Sequence, residues 1–310
     1  MVRVAIAGGT GKLGKTIAEV LSQNPKHNVF VLTRKPTTLP RVDAPVCVVD
    51  DKNVDGLTKL LEENAIEVII STIPVATAEA SEMEINLVRA ASQSRPTKRF
   101  IASQWAIPVP NPRLHLPNQK YLDATIDELK TTELEWTTIY NGYFMDFFGT
   151  PHVKSNMGIF AIHIDMASKV AAIPGTGDEK ISFTYTYDIA KFVDAALDLQ
   201  EWQQSLFCYG DVRTYNEVLK LAEKYTGAKF TVTYDSREKL ERAEMTELPF
   251  HTQIYSLRPK AVLQHRFSRF GLCGIDGFYI PPSDGTTLND RFPHIKTTTV
   301  ADMMATWKGR

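Results

Sequence analysis

The sequence predicts an α/β protein built on a doubly wound parallel sheet with a smaller C-terminal α/β lobe. Three observations carry that prediction. A β-branched run at residues 2–7 meets a glycine-rich turn and then an amphipathic helical stripe. Apolar strands and helices of 3.6-residue period then alternate as far as residue 140, with short connections, the pattern that builds parallel sheets. Beyond Pro151 the alternation loosens into shorter elements with more proline and scattered aromatic residues.

The first element sets the rest. Val2, Val4, Ala5, Ile6 and Ala7 read as a buried strand, and Leu13, Ile17, Val20 and Leu21 recur at helical spacing. Between them the glycines fit three templates. Gly9, Gly11 and Gly14 satisfy G-x-G-x-x-G, Gly8, Gly11 and Gly14 satisfy G-x-x-G-x-x-G, and Gly9 to Thr16 also satisfies the P-loop string G-x-x-x-x-G-K-[ST]. Val46 to Asp50 could even pass for a magnesium-binding strand of a P-loop protein. A helix starting at Lys12 puts Leu13 on the buried face with Ile17 and Val20, which suits a dinucleotide turn; a P-loop would leave Leu13 wrapped around phosphate.

The next strand, Asn28 to Thr33, delivers Arg34 and Lys35 at its C-terminal end. A dinucleotide fold reads the ribose there, about 20 residues after the glycines. No Asp or Glu stands between Asn28 and Pro36, so NAD would lack its 2′-hydroxyl acceptor, whereas a 2′-phosphate meets two cations. The expected cofactor is NADPH/NADP+. A strand end merely solvated by two basic residues is the plainer alternative, and a P-loop NTPase stays open as a third reading.

A third strand follows at Pro45 to Val49, then a helix through Val54, Leu57, Leu60 and Leu61 and a fourth strand, Glu67 to Ile70. A helix over residues 76–92, a strand at Arg99 to Ala102, a helix from Asn118 to Leu129 and a strand at Glu135 to Tyr140 complete the series. Ligands of such sheets lie outside the strand C-termini. Those ends nominate Gly8, Thr10, Gly11, Lys12 and Leu13, then Arg34 and Lys35, then Ser71, Thr72, Ile73 and Pro74. Ser103 and Gln104, and Asn141 to Phe144, close the set.

In the second part, residues 158–164 and 171–173 are expected as short strands, Pro174 to Asp178 as a turn, and Asp188 to Leu199 as a helix with Asp188 as its N-cap. Strands at 206–209 and 230–234 and helices at 216–224, 236–247 and 255–267 follow. The division is residues 1–150 for dinucleotide binding and 151–310 for a substrate lobe. With no flexible linker between them, they are expected to pack as one unit.

The 35 basic and 36 acidic residues give a net charge of -1, no field for nucleic acid or an anionic membrane, so the expected partner is a small molecule. Cys47, Cys208 and Cys273 fit neither a disulfide framework nor a metal knuckle, and His163 with Asp165 lacks further ligands, so no metal is expected. No leader precedes the first strand and no apolar run reaches the ~20 residues of a membrane helix, so a cytoplasmic protein is expected.

Several stretches together resemble the NmrA-like and isoflavone reductase-like branch of the atypical short-chain dehydrogenases. They are Gly8 to Gly14, Thr33-Arg34-Lys35, Phe100 to Trp105, Lys120, Tyr140 to Phe144, Pro174 to Gly177 and Tyr187-Asp188-Ile189-Ala190. The resemblance covers nearly the whole chain. It implies a Rossmann domain binding NADP(H), a C-terminal substrate lobe and, in catalytic members, reduction of aromatic or phenylpropanoid-type compounds. Those members use a lysine on the helix after the fifth strand, where Lys120 stands. They usually carry Ser-Glu-Phe-Gly after that strand; here it is Ser103-Gln104-Trp105-Ala106. Some members of the family are non-catalytic NADP(H) sensors that bind a protein partner, which is the alternative function.

Hydride transfer to a carbonyl or conjugated alkene leaves negative charge on oxygen, which needs a proton or a cation beside it. A lysine free in water has a pKa of about 10.4, which desolvation or a nearby cation lowers; placed so, Lys120 could supply either, or it could hold the nicotinamide ribose. Ser103 is placed to touch nicotinamide or substrate. Gln104, Trp105, His115 and Tyr143 are candidate substrate contacts, and Tyr140, Tyr143, Phe144, Phe147 and Phe148 are either an aromatic wall or a core stripe. The dehydrogenase spacing Tyr-x-x-x-Lys at Tyr225 and Lys229 falls across Gly227, where the pair would not share a helical face.

Overall fold

Strand β1 (Val2–Ala7) is fully buried from Val4 onward, as a central parallel strand covered on both faces must be. The computed structural model describes residues 1–114, 116 and 118–309. After β1 come α1 (Lys12–Leu21), β2 (His27–Thr33), β3 (Val46–Val48), α2 (Val54–Glu63), β4 (Val68–Ser71), α3 (Ala78–Gln93) and β5 (Arg99–Ala102). A 3-10 turn at Pro112–Leu114, α4 (Gln119–Lys130) and β6 (Glu135–Tyr140) follow.

The chain continues through β7 (Tyr143–Phe144), α5 (Asp146–Gly149), β8 (Ile164–Asp165), β9 (Val170–Pro174), β10 (Lys180–Thr184) and α6 (Thr186–Ala196). It then forms β11 (Ser205–Phe207), β12 (Asp211–Thr214), α7 (Tyr215–Thr226), β13 (Thr231–Asp235), α8 (Arg237–Glu241), α9 (Pro249–Gln253), α10 (Lys260–Ile275), α11 (Leu288–Arg291) and α12 (Val300–Ala305).

Seven parallel strands form the main sheet in the order β11-β6-β5-β4-β1-β2-β3, which reverses direction beside β1 as a dinucleotide fold does. On one face Ile17 and Leu21 of α1 pack with Ile189, Phe192 and Val193 of α6 over Val4, Ile6, Val29 and Val31. On the other, Leu57, Leu61, Leu87, Val88 and Leu129 from α2, α3 and α4 cover Ala5, Phe30, Ile69 and Phe100. Each such fully buried aliphatic or aromatic side chain contributes about 1.5–3 kcal/mol of transfer free energy. Leu13 shares the first of these cores with Ile17, with Val20 packed at its margin, so α1 begins where the dinucleotide template required.

Two three-stranded sheets, β12-β10-β7 and β13-β9-β8, enclose a separate core around Phe148, Phe183, Phe267 and Leu272. The parts interlock, since β11 and α6 come from beyond residue 150 and join the main sheet and its helix layer.

Four expectations for this region need correcting. Tyr185 is the N-cap of α6, and Asp188 lies inside its first turn, fully buried, with Lys191 Nζ at 2.7 Å and the Thr298 N–H at 2.6 Å. Residues 158–164 make no long strand; only Ile164–Asp165 pairs, antiparallel to β9. The helix expected over 236–247 ends at Glu241, because Ala243 turns left-handed at φ 59°. The helix expected from Tyr255 begins at Lys260, after Pro259, and runs on through two glycines to Ile275. At Gly271 a Cβ would sit 3.0 Å from Pro174 and 3.1 Å from Leu240, so the missing side chain lets α10 lie close against β9 and α8.

Candidate active site

The glycine turn is built by close approach. Gly8 is left-handed at φ +74°, and a Cβ there would meet the Thr72 backbone at 2.9 Å. At Gly14 a Cβ would lie 2.3 Å from Thr72 Oγ1 and 2.4 Å from the Gly8 carbonyl. Thr72 is itself held by two bonds to the Ala7 carbonyl, from its N–H at 2.9 Å and its hydroxyl at 2.8 Å. Helix α1 starts on Gly11 with no side-chain cap and no acid in its first turn, which leaves the free N–H groups and positive end of the dipole for an anion. The residues present therefore fit a pyrophosphate.

Two cavities meet at this cradle. One, of about 590 Å³, runs from Gly8, Thr10 and Gly11 to Arg34 and Lys35, with Leu57, Met83 and Leu87 as its apolar wall. Arg34 is 62% exposed and its Nε lies 3.9 Å from Asp51 Oδ2, so the guanidinium is held loosely beside the cavity and free to take a stronger anion. The wall residues read in the sequence only as the buried stripes of α2 and α3, and Asp51 carried no signal for this place.

The second cavity, of about 1240 Å³, shares Gly11 and Thr72 to Pro74 with the first and adds Lys12, Leu13, Ser103, Gln104, Trp105, Tyr140 and Phe144. Its floor is fixed by hydrogen bonds. Ser103 Oγ donates to the Ile73 carbonyl at 2.7 Å, Trp105 Nε1 to the Ser71 carbonyl at 2.9 Å, and Gln104 Nε2 to the Leu122 carbonyl at 3.2 Å. The Tyr140 hydroxyl donates to Gln104 Oε1 at 3.4 Å, and burial pushes its pKa up, so this phenol stays protonated. Asn118 Nδ2 bonds the Val75 carbonyl at 3.0 Å and closes the rim.

Behind this floor lies Glu84, a residue that sequence reasoning missed. Its buried carboxylate accepts the Ser103 N–H at 2.9 Å and the Thr125 hydroxyl at 3.0 Å. Burial raises its pKa, while the bonds from Ser103 and Thr125 and the nearby Ser71 hydroxyl pull the other way. Its signal was an acid inside the apolar stripe of α3, one turn before Leu87 and Val88.

The remaining candidates sit elsewhere. Lys120 is exposed on the first turn of α4, with its Nζ 5.0 Å from the Tyr121 ring centroid, next to the lining residues Asn118 and Gln119 and outside the cavity wall. Asn141 is fully buried, its N–H bonded to the Ala106 carbonyl at 3.0 Å. Tyr143 is in the lobe core rather than the wall, stacked on Phe148 at 5.4 Å, and burial raises its pKa. Of the aromatic set, Tyr140 and Phe144 face the cavity, while Tyr143, Phe147 and Phe148 belong to the core and its margin. His115 lies outside the described residues. Lys229 pairs with Glu223 at 2.7 Å, beyond the left-handed Gly227 that ends α7, so Tyr225 and Lys229 form no catalytic pair. Asp165 accepts the Phe250 and Ser168 N–H groups, and among the described residues no group of His, Cys, Asp and Glu could hold a metal. Among them, too, no helix is long and apolar enough to cross a membrane. The cavity also takes Arg258, Arg266 and Phe270 from the second part of the chain, none of which the sequence had singled out.

Comparison with known proteins agrees with this architecture. The model of the NmrA-like family matches residues 2–271. The oxidoreductase BOA1 of Botryotinia fuckeliana is 33% identical over 259 residues, covering 83% of this chain and 85% of that protein. The oxidoreductase swnN of Metarhizium robertsii is 28% identical over 332 residues, covering 97% and 96%. Among solved structures, AtPrR2 with NADP+ and (+)pinoresinol superposes with a TM-score of 0.76 at 18% identity, covering 99% of this chain and 98% of that one. Leucoanthocyanidin reductase from Vitis vinifera with NADPH gives 0.74 at 19% identity, covering 98% of each. At these identities the structures share the fold. With the family model spanning most of its length, the chain belongs to the NmrA-like family.

Proposed function

We propose that the chain is an NADPH-dependent reductase that transfers hydride to a small aromatic or conjugated carbonyl or alkene. The observation that carries this reading is the junction of two cavities at one glycine cradle, the first ending in Arg34 and Lys35, the second walled by Trp105, Tyr140 and Phe144. Gly8, Thr10, Gly11, Lys12 and Leu13 would hold the pyrophosphate, and Arg34 and Lys35 the 2′-phosphate. Thr72, Ile73, Pro74, Ser103 and Phe144 would frame the nicotinamide half, with the fully buried Asn141 behind them. Bound there, NADPH supplies the hydride. The part from residue 151 onward serves as the substrate lobe, and Lys120 would reach in from α4 to assist protonation. The relatives named as oxidoreductases support an enzyme. The three free cysteines suit a reducing, cytoplasmic setting.

The second reading, an NADP(H)-sensing regulatory protein that binds a protein partner, is favoured by one observation, the position of Lys120 outside the cavity wall. The test is NADPH and NADH titration followed by NADPH consumption with conjugated aldehydes, ketones and quinones. NADPH-selective binding with turnover that falls in Lys120→Ala supports the reductase. Selective binding with no turnover on any of them supports the sensor. No NADPH binding sinks both.

A further inference from the structure

Arg266 is the clearest unexplained charge in the molecule. It lies on α10 one turn before Phe270, and both line the larger cavity, so cation and ring share one helix face. The side chain is half-buried, yet among the described residues it has no hydrogen bond and no carboxylate partner. Arg258 lines the same cavity, and its charge repels that of Arg266. The two acids along that cavity are engaged on α4, Asp123 by Gln119 at 2.8 Å and Asp127 by Lys130 at 2.9 Å. Two other half-buried arginines of this chain are answered by carboxylates, Arg99 by Glu135 and Arg237 by Asp276, both at 2.5 Å.

A desolvated guanidinium beside a second one is unfavourable unless an anion completes it, and a planar fork of N–H groups matches a carboxylate with two parallel bonds. We infer that the larger cavity receives a substrate bearing a carboxylate, taken by Arg266 with Arg258 at the entrance, while Phe270, Trp105 and Phe144 pack its apolar body. This rests on the reading of that cavity as the substrate site.

The test uses benzoate and cinnamate as probes against benzamide and cinnamamide, titrated by calorimetry into the protein with and without NADPH. The expected result is that each acid binds about tenfold more tightly than its amide, the difference expected of one charge-assisted pair. In Arg266→Leu that preference should disappear, in Arg266→Lys it should survive in part, and in Arg258→Leu it should fall about two- to threefold because that side chain is exposed. Loss of an unpartnered buried charge should leave the Tm of Arg266→Leu unchanged or higher, which separates lost recognition from lost folding. Equal affinity for acid and amide, binding of neither, or a preference that survives in Arg266→Leu would overturn the inference. So would a tenfold loss of NADPH affinity in Arg266→Leu, which would assign the arginine to the cofactor phosphates. Failure of NADPH to bind the wild-type protein would instead remove the reductase reading, and the acid preference measured without cofactor would stand apart from it.

Discussion

The backbone N–H of Ser103 donates to the Glu84 carboxylate at 2.9 Å, and the other carboxylate oxygen takes the Thr125 hydroxyl at 3.0 Å. One buried acid thus ties the end of β5 to α3 and α4, and with it the loop that carries Gln104 and Trp105.

Glu84→Leu is expected to destabilise the protein by about 2–3 kcal/mol, because a buried N–H loses its acceptor, and to weaken binding in the larger cavity. Glu84→Gln keeps an acceptor for Ser103 and behaves differently with pH. Burial raises the folded pKa of Glu84, so the protonated acid is favoured in the fold and the wild type loses stability as pH rises above about 4.5. The Tm of Glu84→Gln relative to wild type should therefore climb over that range in thermal melts. A constant difference would refute this role.

Gly14→Ala puts a Cβ 2.3 Å from Thr72 Oγ1 and 2.4 Å from the Gly8 carbonyl. The hydroxyl could rotate away, but the carbonyl is part of the cradle. NADPH affinity should drop by at least tenfold, roughly 1.4 kcal/mol, as read by fluorescence titration, with circular dichroism still native.

For Arg34→Ala and Lys35→Ala, NADPH dissociation constants should rise about five- to thirtyfold each, the value of a charge-assisted bond at a partly exposed site, while NADH binding changes less than twofold. An equal loss for both nucleotides would mean that these cations do not read the 2′-phosphate.

Burial, reinforced by repulsion from His251, drives the His163 imidazole down to about 3. The folded pKa lies below the ordinary 6.5, so the stability tied to the neutral ring is complete above 6.5 and is lost as pH falls toward about 3. Thermal melts between about pH 7.5 and 4.5 should show a decline that is shallower in His163→Met, each pH unit of full titration being worth about 1.4 kcal/mol. Parallel curves would exclude His163 as a source of acid sensitivity.

The first half of the fold was legible because its signals are local. Leu13, Ile17 and Val20 mark one helix face, and Arg34 follows its strand directly, so period and position sufficed. Later elements depend on distant partners. Asp188 has the residue type of a cap, but its carboxylate is spoken for by Thr298, 110 residues away. Helix α10 crosses Gly271 and Gly274, residues that normally weaken a helix, because β9 and α8 press against it at Gly271 and Ile181 of β10 presses at Gly274. The site divides the same way. The strand ends nominated the cradle and floor, whereas Glu84 and Arg266 hid inside ordinary helical stripes and acquire meaning only from what the fold sets beside them.

The pairing of β11 with β6 has a consequence for biosynthesis. Ser205 to Phe207 register against Thr138 to Tyr140, so the edge of the sheet stays open while residues 141–204 emerge from the ribosome. Closing that long loop costs entropy before any strand contact offsets it, and the nascent chain meanwhile exposes a β6 rim. A chaperone that shields this rim during translation would raise the yield of native protein, and a stop codon placed just after residue 150 would release a chain prone to aggregate through its unpaired strand.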